Sequence, residues 1–378
     1  MEYKTKKVLK QFKAESYVKD SGDGDISSFS NVIDCSLGVN PFGCSALFNE
    51  FKGDFFNRFN INNYPDFPYI QLKRELASYW RNICSLDESN LKFGTGSIGV
   101  LLNINRMFIE RNTMILGNCP TFTPYISDVK LNEGINDHVL LDPSSNYRFD
   151  FDRFAKKISN KYALIYIDNP NNPTGQVIPL SSIKIIVEMA RFNDVCVIID
   201  EAYGDFMDDN NSAISLVNQY DNLMVVRSFS KGFGLAGLRI GYLVTNKILS
   251  DIYSSIDTPF TISTAGQFAA ICAMKDKDFI LDSRKKINVV KEKIVKSFKK
   301  MIVLETDNQV PIMTVKHPDK DIDLYKKFKM HHVLTESGED FTGLGKNFVR
   351  IRVPSEADKI IEIIEEIEKE SSLISQSL

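Results

Sequence analysis

The chain has 378 residues, of which 43% are hydrophobic and 25% charged, and its formal net charge is −3 at pH 7. This composition is ordinary for a globular protein and excludes a basic surface that would recruit nucleic acid or an anionic membrane. The charged N-terminus, the lack of an apolar run of about 18 residues and the six scattered cysteines predict a cytoplasmic protein without signal peptide, membrane span, disulfide framework or metal site.

Short apolar segments alternate with helical patterns along the middle of the chain. Strands are predicted at "YALIYID" (162–168), "VCVIID" (195–200), "LMVVRS" (223–228) and "RIGYLV" (239–244), because each segment is β-branched and bounded by polar or Gly/Pro residues. The segment "SSIKIIVEMARFN" (181–193) between the first two predicts a helix. This alternation indicates an α/β layer with a mainly parallel sheet.

The C-terminal part of the sequence has a different residue pattern. From about residue 264 onward, long charged segments with helical spacing predominate, which predicts a smaller α+β unit behind the large α/β unit. The segment "EADKIIEIIEEIEKE" (356–370) places four isoleucines on one helical stripe: Ile360, Ile363, Ile364 and Ile367. We expect this face of the helix to pack against the protein and the opposite face to contact water.

Polar side chains follow three of the predicted strands at the points where they end. "IDNPNNPTGQ" brings Asp168 and Asn172, "IDEAYGDF" brings Asp200 and Tyr203, and "RSFSKGFG" brings Lys231. Ligand sites of parallel α/β sheets lie at the carboxyl ends of the strands, so we expect these side chains to share one site.

The residue types in this set fit the chemistry of pyridoxal phosphate. The amine of Lys231 would condense with the cofactor aldehyde, and the Asp200 carboxylate would keep the ring nitrogen protonated. Tyr203 and Asn172 would contact the phenolic oxygen and hold the ring. The phosphate needs hydroxyls, backbone amides at a helix start and a guanidinium. Three residues around the lysine supply such groups: Ser228, Ser230 and Arg239.

The motifs themselves resemble a known family. "SFSKGFGLAGLRIGY" resembles the lysine motif of the class I/II aminotransferases, pyridoxal-phosphate enzymes of fold type I, and "NPNNPTG" and "DEAY" precede it in that family's order. "GVNPFG" and "YPDFPYIQLKRELASYW" resemble the branch that contains histidinol-phosphate aminotransferases and threonine-phosphate decarboxylases. The resemblance implies an α/β fold with a large cofactor-binding domain, residues 45–262, and a smaller α+β domain made of residues 1–44 and 263–378.

The resemblance also implies a role for each matching residue. Lys231 would form the Schiff base and shuttle a proton, with Asp200 and Tyr203 as its catalytic partners. Arg350 in "FVRIRVPS" matches an arginine that binds a substrate carboxylate or phosphate. The remaining cofactor-binding residues implied by the motifs are Gly96, Ser97, Ile98, Phe122, Asn172, Ser228, Ser230, Arg239 and Tyr64.

Two further consequences concern the substrate and the subunit partner. Tyr64 resembles a residue that reaches the cofactor phosphate of the neighbouring subunit, which implies a homodimer. Arg352 stands two residues after Arg350 on a predicted strand, so both side chains face the same way and could bind a second anionic group; the alternative is a surface pair with Glu356. Asn40 in "GVNPFG" completes the substrate-binding set.

Departures from the family pattern leave the substrate open. Val39 stands where histidinol-phosphate aminotransferases usually have an acidic residue, and Arg352 where they more often have a small hydroxyl residue. "GTGSIG" is also a dinucleotide fingerprint, but the expected acidic residue about 20 positions later is missing from "ILGNCPTF".

Three functions remain to be compared. The first is an aminotransferase that moves an amino group from an amino acid or amino-phosphate donor to a 2-oxo acid in a ping-pong scheme. The alternative is a decarboxylase of the threonine-phosphate type. A non-catalytic regulator is disfavoured, because the short segment before "LGVNPFG" has no room for a DNA-binding domain and the lysine is present.

Overall fold

The computed structural model describes residues 5–10, 12, 32–51 and 62–375. Its largest element is a seven-stranded sheet with the order β2-β8-β7-β6-β5-β3-β4. Its strands are β2 (Leu91–Thr95), β3 (Met114–Cys119), β4 (Ile135–Leu140), β5 (Leu164–Asp168), β6 (Cys196–Asp200), β7 (Leu223–Ser228) and β8 (Ile240–Thr245).

The strand β8 corrects one expectation about this sheet. The apolar segment 239–244 was predicted as one of the parallel strands, but β8 runs antiparallel to both β7 and β2. The connection from β7 holds only a 3-10 turn, Ala236–Leu238, and a parallel neighbour would need a crossover of a dozen or more residues. The other predicted strands are parallel, so the prediction of a mainly parallel α/β sheet is confirmed.

Helices pack on the two faces of this sheet, and others on a second sheet, through apolar stripes. In the predicted helix 181–193, observed as Leu180–Phe192, the residues Ile183, Ile186, Val187 and Ala190 are buried at helical spacing. The helices are α1 (Ala46–Phe51), α2 (Ile70–Trp80), α3 (Gly96–Phe108), α4 (Thr123–Leu131), α5 (Phe151–Ala155), α6 (Leu180–Phe192), α7 (Lys247–Ser254), α8 (Thr264–Lys275), α9 (Lys277–Ser297), α10 (Leu324–Met330) and α11 (Asp358–Ser375).

A second, antiparallel sheet has the order β12-β13-β10-β9 and its own hydrophobic core. Within the predicted stripe of α11, Ile360, Ile364 and Ile367 are buried in this core and Ile363 packs against it. The short strand β1 pairs with β11 in a separate two-stranded sheet. The bounds are β1 (Ile33–Asp34), β9 (Ile302–Val303), β10 (Ile312–Lys316), β11 (Val333–Leu334), β12 (Glu336–Ser337) and β13 (Phe348–Arg352). The division at residue 262 into two domains stays a prediction.

Candidate active site

A cavity of about 340 Å³ lies where β5 and β6 end and the segments after β3 and β7 begin. This position is the carboxyl edge of the parallel strands, as the sequence predicted. The cavity is lined by nine of the predicted site residues: Ser97, Ile98, Phe122, Asn172, Asp200, Tyr203, Ser230, Lys231 and Arg239.

Lys231 enters this cavity from the turn that follows β7. Its Nζ atom lies 5.3 Å from the centroid of the Tyr203 ring. The pKa of Lys231 is lowered to about 7, mainly by burial and also by the positive charges of Arg350 and Arg239, while the negative charge of Asp200 acts in the opposite direction. A large share of the amine is therefore neutral near pH 7, which is the form that acts as a nucleophile or takes up a proton.

Asp200 is the last residue of β6, and its carboxyl group is buried. The Tyr166 hydroxyl donates to Oδ2 at 2.9 Å, and the Ala202 amide donates to Oδ1 at 3.0 Å. Burial raises the pKa of Asp200 to about 7, with the neighbouring charge of Asp168 as the second cause. A cationic group in the cavity would compensate this charge and hold it ionised.

Positively charged and hydrogen-bond-donating groups lie at the N-terminus of α3. Arg239 Nη1 lies 3.4 Å from Ser230 Oγ, and Ser97 and Ile98 carry the first amides of the helix to the cavity wall. Gly96 has a φ of +75°, and a Cβ atom there would collide with the Arg239 guanidinium. A glycine is therefore required, and the helix start, hydroxyl and guanidinium together suit a phosphate.

Ser228 lies behind this group rather than on the cavity wall. Its side chain is buried, accepts a hydrogen bond from the Ser230 amide at 3.0 Å and lies 3.3 Å from the Ile240 carbonyl oxygen. The hydroxyl therefore shapes the turn that presents Ser230 and Lys231.

Two arginines of β13 contact the end of β1 and the residues that follow it. Arg350 is buried and donates from Nη1 to Asn172 Oδ1 at 2.9 Å and from Nη2 to the Ser36 carbonyl at 2.6 Å. Its Nη2 also lies 3.6 Å from the Glu336 carboxylate on the adjacent strand. Arg352 donates to the main-chain oxygen of Asp34, and among the described residues it forms no ion pair with Glu356.

Asn40 and Tyr64 lie away from the cavity wall of their own chain. Asn40 is buried and donates to the Gly232 carbonyl at 2.9 Å, so it holds the turn next to Lys231. Tyr64 is 81% exposed and stacks on Phe260 with 4.8 Å between ring centroids. These two residues therefore do not join the other predicted ligands within one subunit.

Comparison with known proteins shows the family to which the chain belongs. The sequence matches the family "Aminotransferase class I and II" over residues 48–367. The chain belongs to this family. Histidinol-phosphate aminotransferase of Methanococcus maripaludis is 29% identical over 374 residues, which cover 96% of this chain and 98% of that protein.

Solved structures show the same fold. The crystal structure of histidinol-phosphate aminotransferase from Clostridium acetobutylicum has a TM-score of 0.80 at 22% identity and covers 90% of this chain and 100% of that one. The enzyme from Sinorhizobium meliloti, in complex with pyridoxal-5'-phosphate, has a TM-score of 0.76 at 20% identity and covers 94% and 100%. The predictions of the family and of fold type I are confirmed.

This aminotransferase uses pyridoxal 5'-phosphate, the cofactor of its family. The residues around the cavity fit that molecule: an amine at Lys231, a buried carboxylate at Asp200, and an anion-binding helix start at Gly96 whose tight packing against Arg239 leaves no room for a Cβ. The described residues contain no group of acidic, histidine or cysteine side chains placed to hold a metal ion. Within the same residues, no helix has the length and apolarity to cross a bilayer.

The structure adds residues to the cavity to which the sequence gave no ligand role. Asp168 was expected at the site as a strand-end residue but without a role, and it is the most informative, because it ends β5 beside Asp200 and is buried. Its signal in the sequence is the repeat of an "ID" pair at the end of two neighbouring strands. The other added residues are Leu37, Val39, Pro170, Ala202 and Ala236.

Proposed function

We propose that this aminotransferase transfers an amino group from an amino acid or amino-phosphate donor to a 2-oxo acid, in two half-reactions that use one cavity in turn. The observation that supports the proposal most directly is the placement of a buried amine, Lys231, and a buried carboxylate, Asp200, on the wall of the same cavity. Lys231 would transfer protons and Asp200 would compensate a positive charge, each at a different part of the same ligand.

When bound, pyridoxal phosphate supplies an aldehyde that condenses with primary amines and a ring that accepts the electron pair left at the amine's α carbon. Lys231, held neutral by burial and by two nearby arginines, would take the α proton and return it to the product. Asp200 would pair with the cationic ring nitrogen, and Tyr203 and Asn172 would contact the ring oxygen. Phe122 would cover one ring face.

The phosphate of the cofactor would lie at the start of α3. The amides of Ser97 and Ile98 begin this helix at the cavity wall, and the macrodipole favours an anion there, whereas the Gly96 amide already donates to the Arg239 carbonyl oxygen at 3.1 Å. Ser230 and Arg239 would close around it, and Ser228 would hold the turn in place.

The substrate would be anchored by its carboxylate or phosphate. Arg350 would bind this anion, since its guanidinium can donate from two Nη atoms, which in this structure donate to the neutral oxygens of Asn172 and Ser36. Arg352 lies on the same strand face and Asn40 supports the Lys231 turn, so both would act at the substrate end. Because the curated relative is named histidinol-phosphate aminotransferase, a phosphorylated amine belongs among the donors to be tested.

We also propose that the active unit is a homodimer in which Tyr64 enters the neighbouring cavity. Tyr64, Phe67 and Phe260 form an exposed aromatic group, which is an unusual surface unless a partner covers it.

Absorption spectroscopy of the purified protein with pyridoxal phosphate tests the function. We expect a visible band that disappears on addition of the correct donor in proportion to the oxo product formed, and that returns when a 2-oxo acid is added. The donor panel contains glutamate, aromatic amino acids, histidinol phosphate and threonine phosphate. Release of carbon dioxide with survival of the band would instead support the decarboxylase, which the name of the curated relative does not favour. A protein that never develops the band would refute the role given to Lys231.

A further inference from the structure

Two buried carboxylates end neighbouring strands at the cavity. Asp168 closes β5 and Asp200 closes β6, and the two residues are direct partners in the parallel ladder. Each side chain belongs to a residue only 3% exposed, and both residues line the cavity. Partners in a ladder present their side chains on the same face of the sheet, so the two charges stand side by side.

Asp168 is held by three donors from two segments of the chain. The Thr121 hydroxyl donates to Oδ1 at 2.8 Å, the Asn171 side-chain amide donates to Oδ1 at 2.9 Å, and the Asn172 backbone amide donates to Oδ2 at 2.9 Å. Thr121 immediately precedes Phe122, and the side chain of Asn172 accepts from Arg350. The carboxylate therefore connects the wall that carries Phe122 with the loop that carries Asn172.

The charges around this pair are unevenly distributed. Asp200 is bonded to Tyr166 and Ala202, both neutral groups, and neither carboxylate forms an ion pair of 4 Å or less within the described part of the chain. Glu201 lies nearby but forms a buried ion pair with Arg227 at 2.8 Å, so its charge is compensated and it raises the pKa of Asp200 only as the last of the causes. The positive groups that act on the cavity are Lys231, Arg239 and Arg350.

Burial opposes ionisation of both carboxylates, and the charge of Asp168 also opposes ionisation of Asp200. Burial raises the pKa of Asp168 to about 6, although its three donors act in the opposite direction, and the charge of Asp168 in turn raises the pKa of Asp200. A cation placed between the two carboxylates and the cavity would remove the repulsion. The pyridinium nitrogen of the cofactor is such a cation.

We propose that Asp168 is a positioning residue that supplies a second negative charge to the Asp200 end of the cavity and fixes Phe122 and Asn172 around the cofactor ring. The inference rests on the proposed function and adds a residue to it. Asp200 would hold the ring nitrogen, and Asp168 would act through Asp200 and through the two segments that it connects.

A pH titration of the visible band of the holoenzyme tests this inference. A nearby carboxylate favours the protonated form of the bound cofactor, so loss of its charge shifts the titration midpoint to lower pH. For Asp168→Asn we expect a shift of about one pH unit and a fall in kcat of about tenfold. The matched control is Thr121→Val, which removes one hydrogen bond but keeps the charge, and its midpoint should equal that of the wild type.

Two results would overturn the inference: an unchanged midpoint in Asp168→Asn, or the same downward shift in Thr121→Val. If Asp168→Asn does not fold, Asp168→Ser provides a second neutral variant with a smaller side chain, read in the same way. Failure of the proposed function is distinguishable in the wild-type protein: no visible band at all would refute the role of Lys231, and a band that survives while carbon dioxide is released would support the decarboxylase and leave the Asp168→Asn midpoint readable.

Discussion

Two buried lysines of this aminotransferase have the same shifted pKa and different surroundings. Burial lowers the pKa of Lys231 and of Lys291 to about 7. Lys231 faces the cavity beside the Tyr203 ring, with two arginines among the charges that act on it. Lys291, in α9, donates to four oxygens: Thr306 Oγ1 at 2.6 Å, Asp307 O at 2.7 Å, Val310 O at 2.9 Å and Ile312 O at 2.8 Å.

The difference shows that a lowered pKa does not by itself mark a reactive group. An ammonium has three protons to donate, so four oxygens within 2.9 Å saturate Lys291 and favour its charged form. Lys291 therefore connects the segment 306–312 to α9 through hydrogen bonds, and its amine is not accessible for reaction. Lys231 has a cavity in front of it and positive neighbours that favour its neutral form. Access and partners, rather than burial, separate the reactive lysine from the structural one.

The largest expected effect is on catalysis. Lys231→Ala should reduce amino-group transfer by about 10³-fold or more, because it removes both the nucleophile and the proton carrier. The fold should remain intact, since the substitution also removes a buried charge. Steady-state assay and circular dichroism of the same preparation measure both quantities. If Lys231→Ala transferred amino groups at a rate within tenfold of the wild type, Lys231 would not be the reactive lysine.

The second effect is on stability. Lys291→Met should lower the free energy of unfolding by about 3 kcal/mol, because the apolar side chain removes a buried donor shared by four oxygens. The Asp307 and Ile312 carbonyls keep a donor each, from the Val310 amide and the Thr306 hydroxyl, so the loss falls mainly on the Val310 carbonyl and the Thr306 hydroxyl. Urea denaturation monitored by fluorescence gives this value. Lys293→Met, an exposed position on the same helix, is the matched control and should change stability by less than about 0.5 kcal/mol. Equal losses in the two variants would contradict the structural role of Lys291.

The third and smallest effect is on pH dependence. The Lys231 amine is protonated below its pKa of about 7 and neutral above it, so the rate at which the cofactor-free protein captures pyridoxal phosphate should rise through about pH 7. Arg350→Gln removes a positive neighbour, which raises the pKa of Lys231 and moves the midpoint up by about one pH unit. Stopped-flow absorbance measures the rate.

Lys291→Met provides the comparison for this titration. It should leave the midpoint unchanged, because Lys291 is not among the charges that act on Lys231. If Arg350→Gln did not move the midpoint, or moved it downward, the electrostatic account of Lys231 would be wrong.

The sequence predicted the reactive lysine but not its structural counterpart. Lys231 stands in "SFSKGFG" at the end of an apolar strand, where a ligand site is expected. Lys291 stands in "VVKEKIVKS", a helical segment in which several lysines look alike. It is buried only because residues 306–312 fold over it, and such a contact between distant segments has no local pattern.

The same distinction applies to Asp168 and Arg352. The sequence placed Asp168 at a strand end, but its importance depends on the register that puts it beside Asp200. The strand spacing of Arg350 and Arg352 predicted a shared direction, and both reach the segment 34–36. The partner of Arg352 is a main-chain oxygen, which no charge pattern can reveal.

What the sequence by itself determined is the alternation of strands and helices, the family and the cofactor, because apolar periodicity and strand-end motifs are local properties. Only the tertiary structure decided the antiparallel direction of β8, the pairing of Asp168 with Asp200 and the burial of Lys291. It also decided that Asp200 faces the cavity while its neighbour Glu201 binds Arg227 at 2.8 Å. These features depend on which segments meet in space, and the energy of a buried charge is set by those neighbours rather than by the adjacent residues.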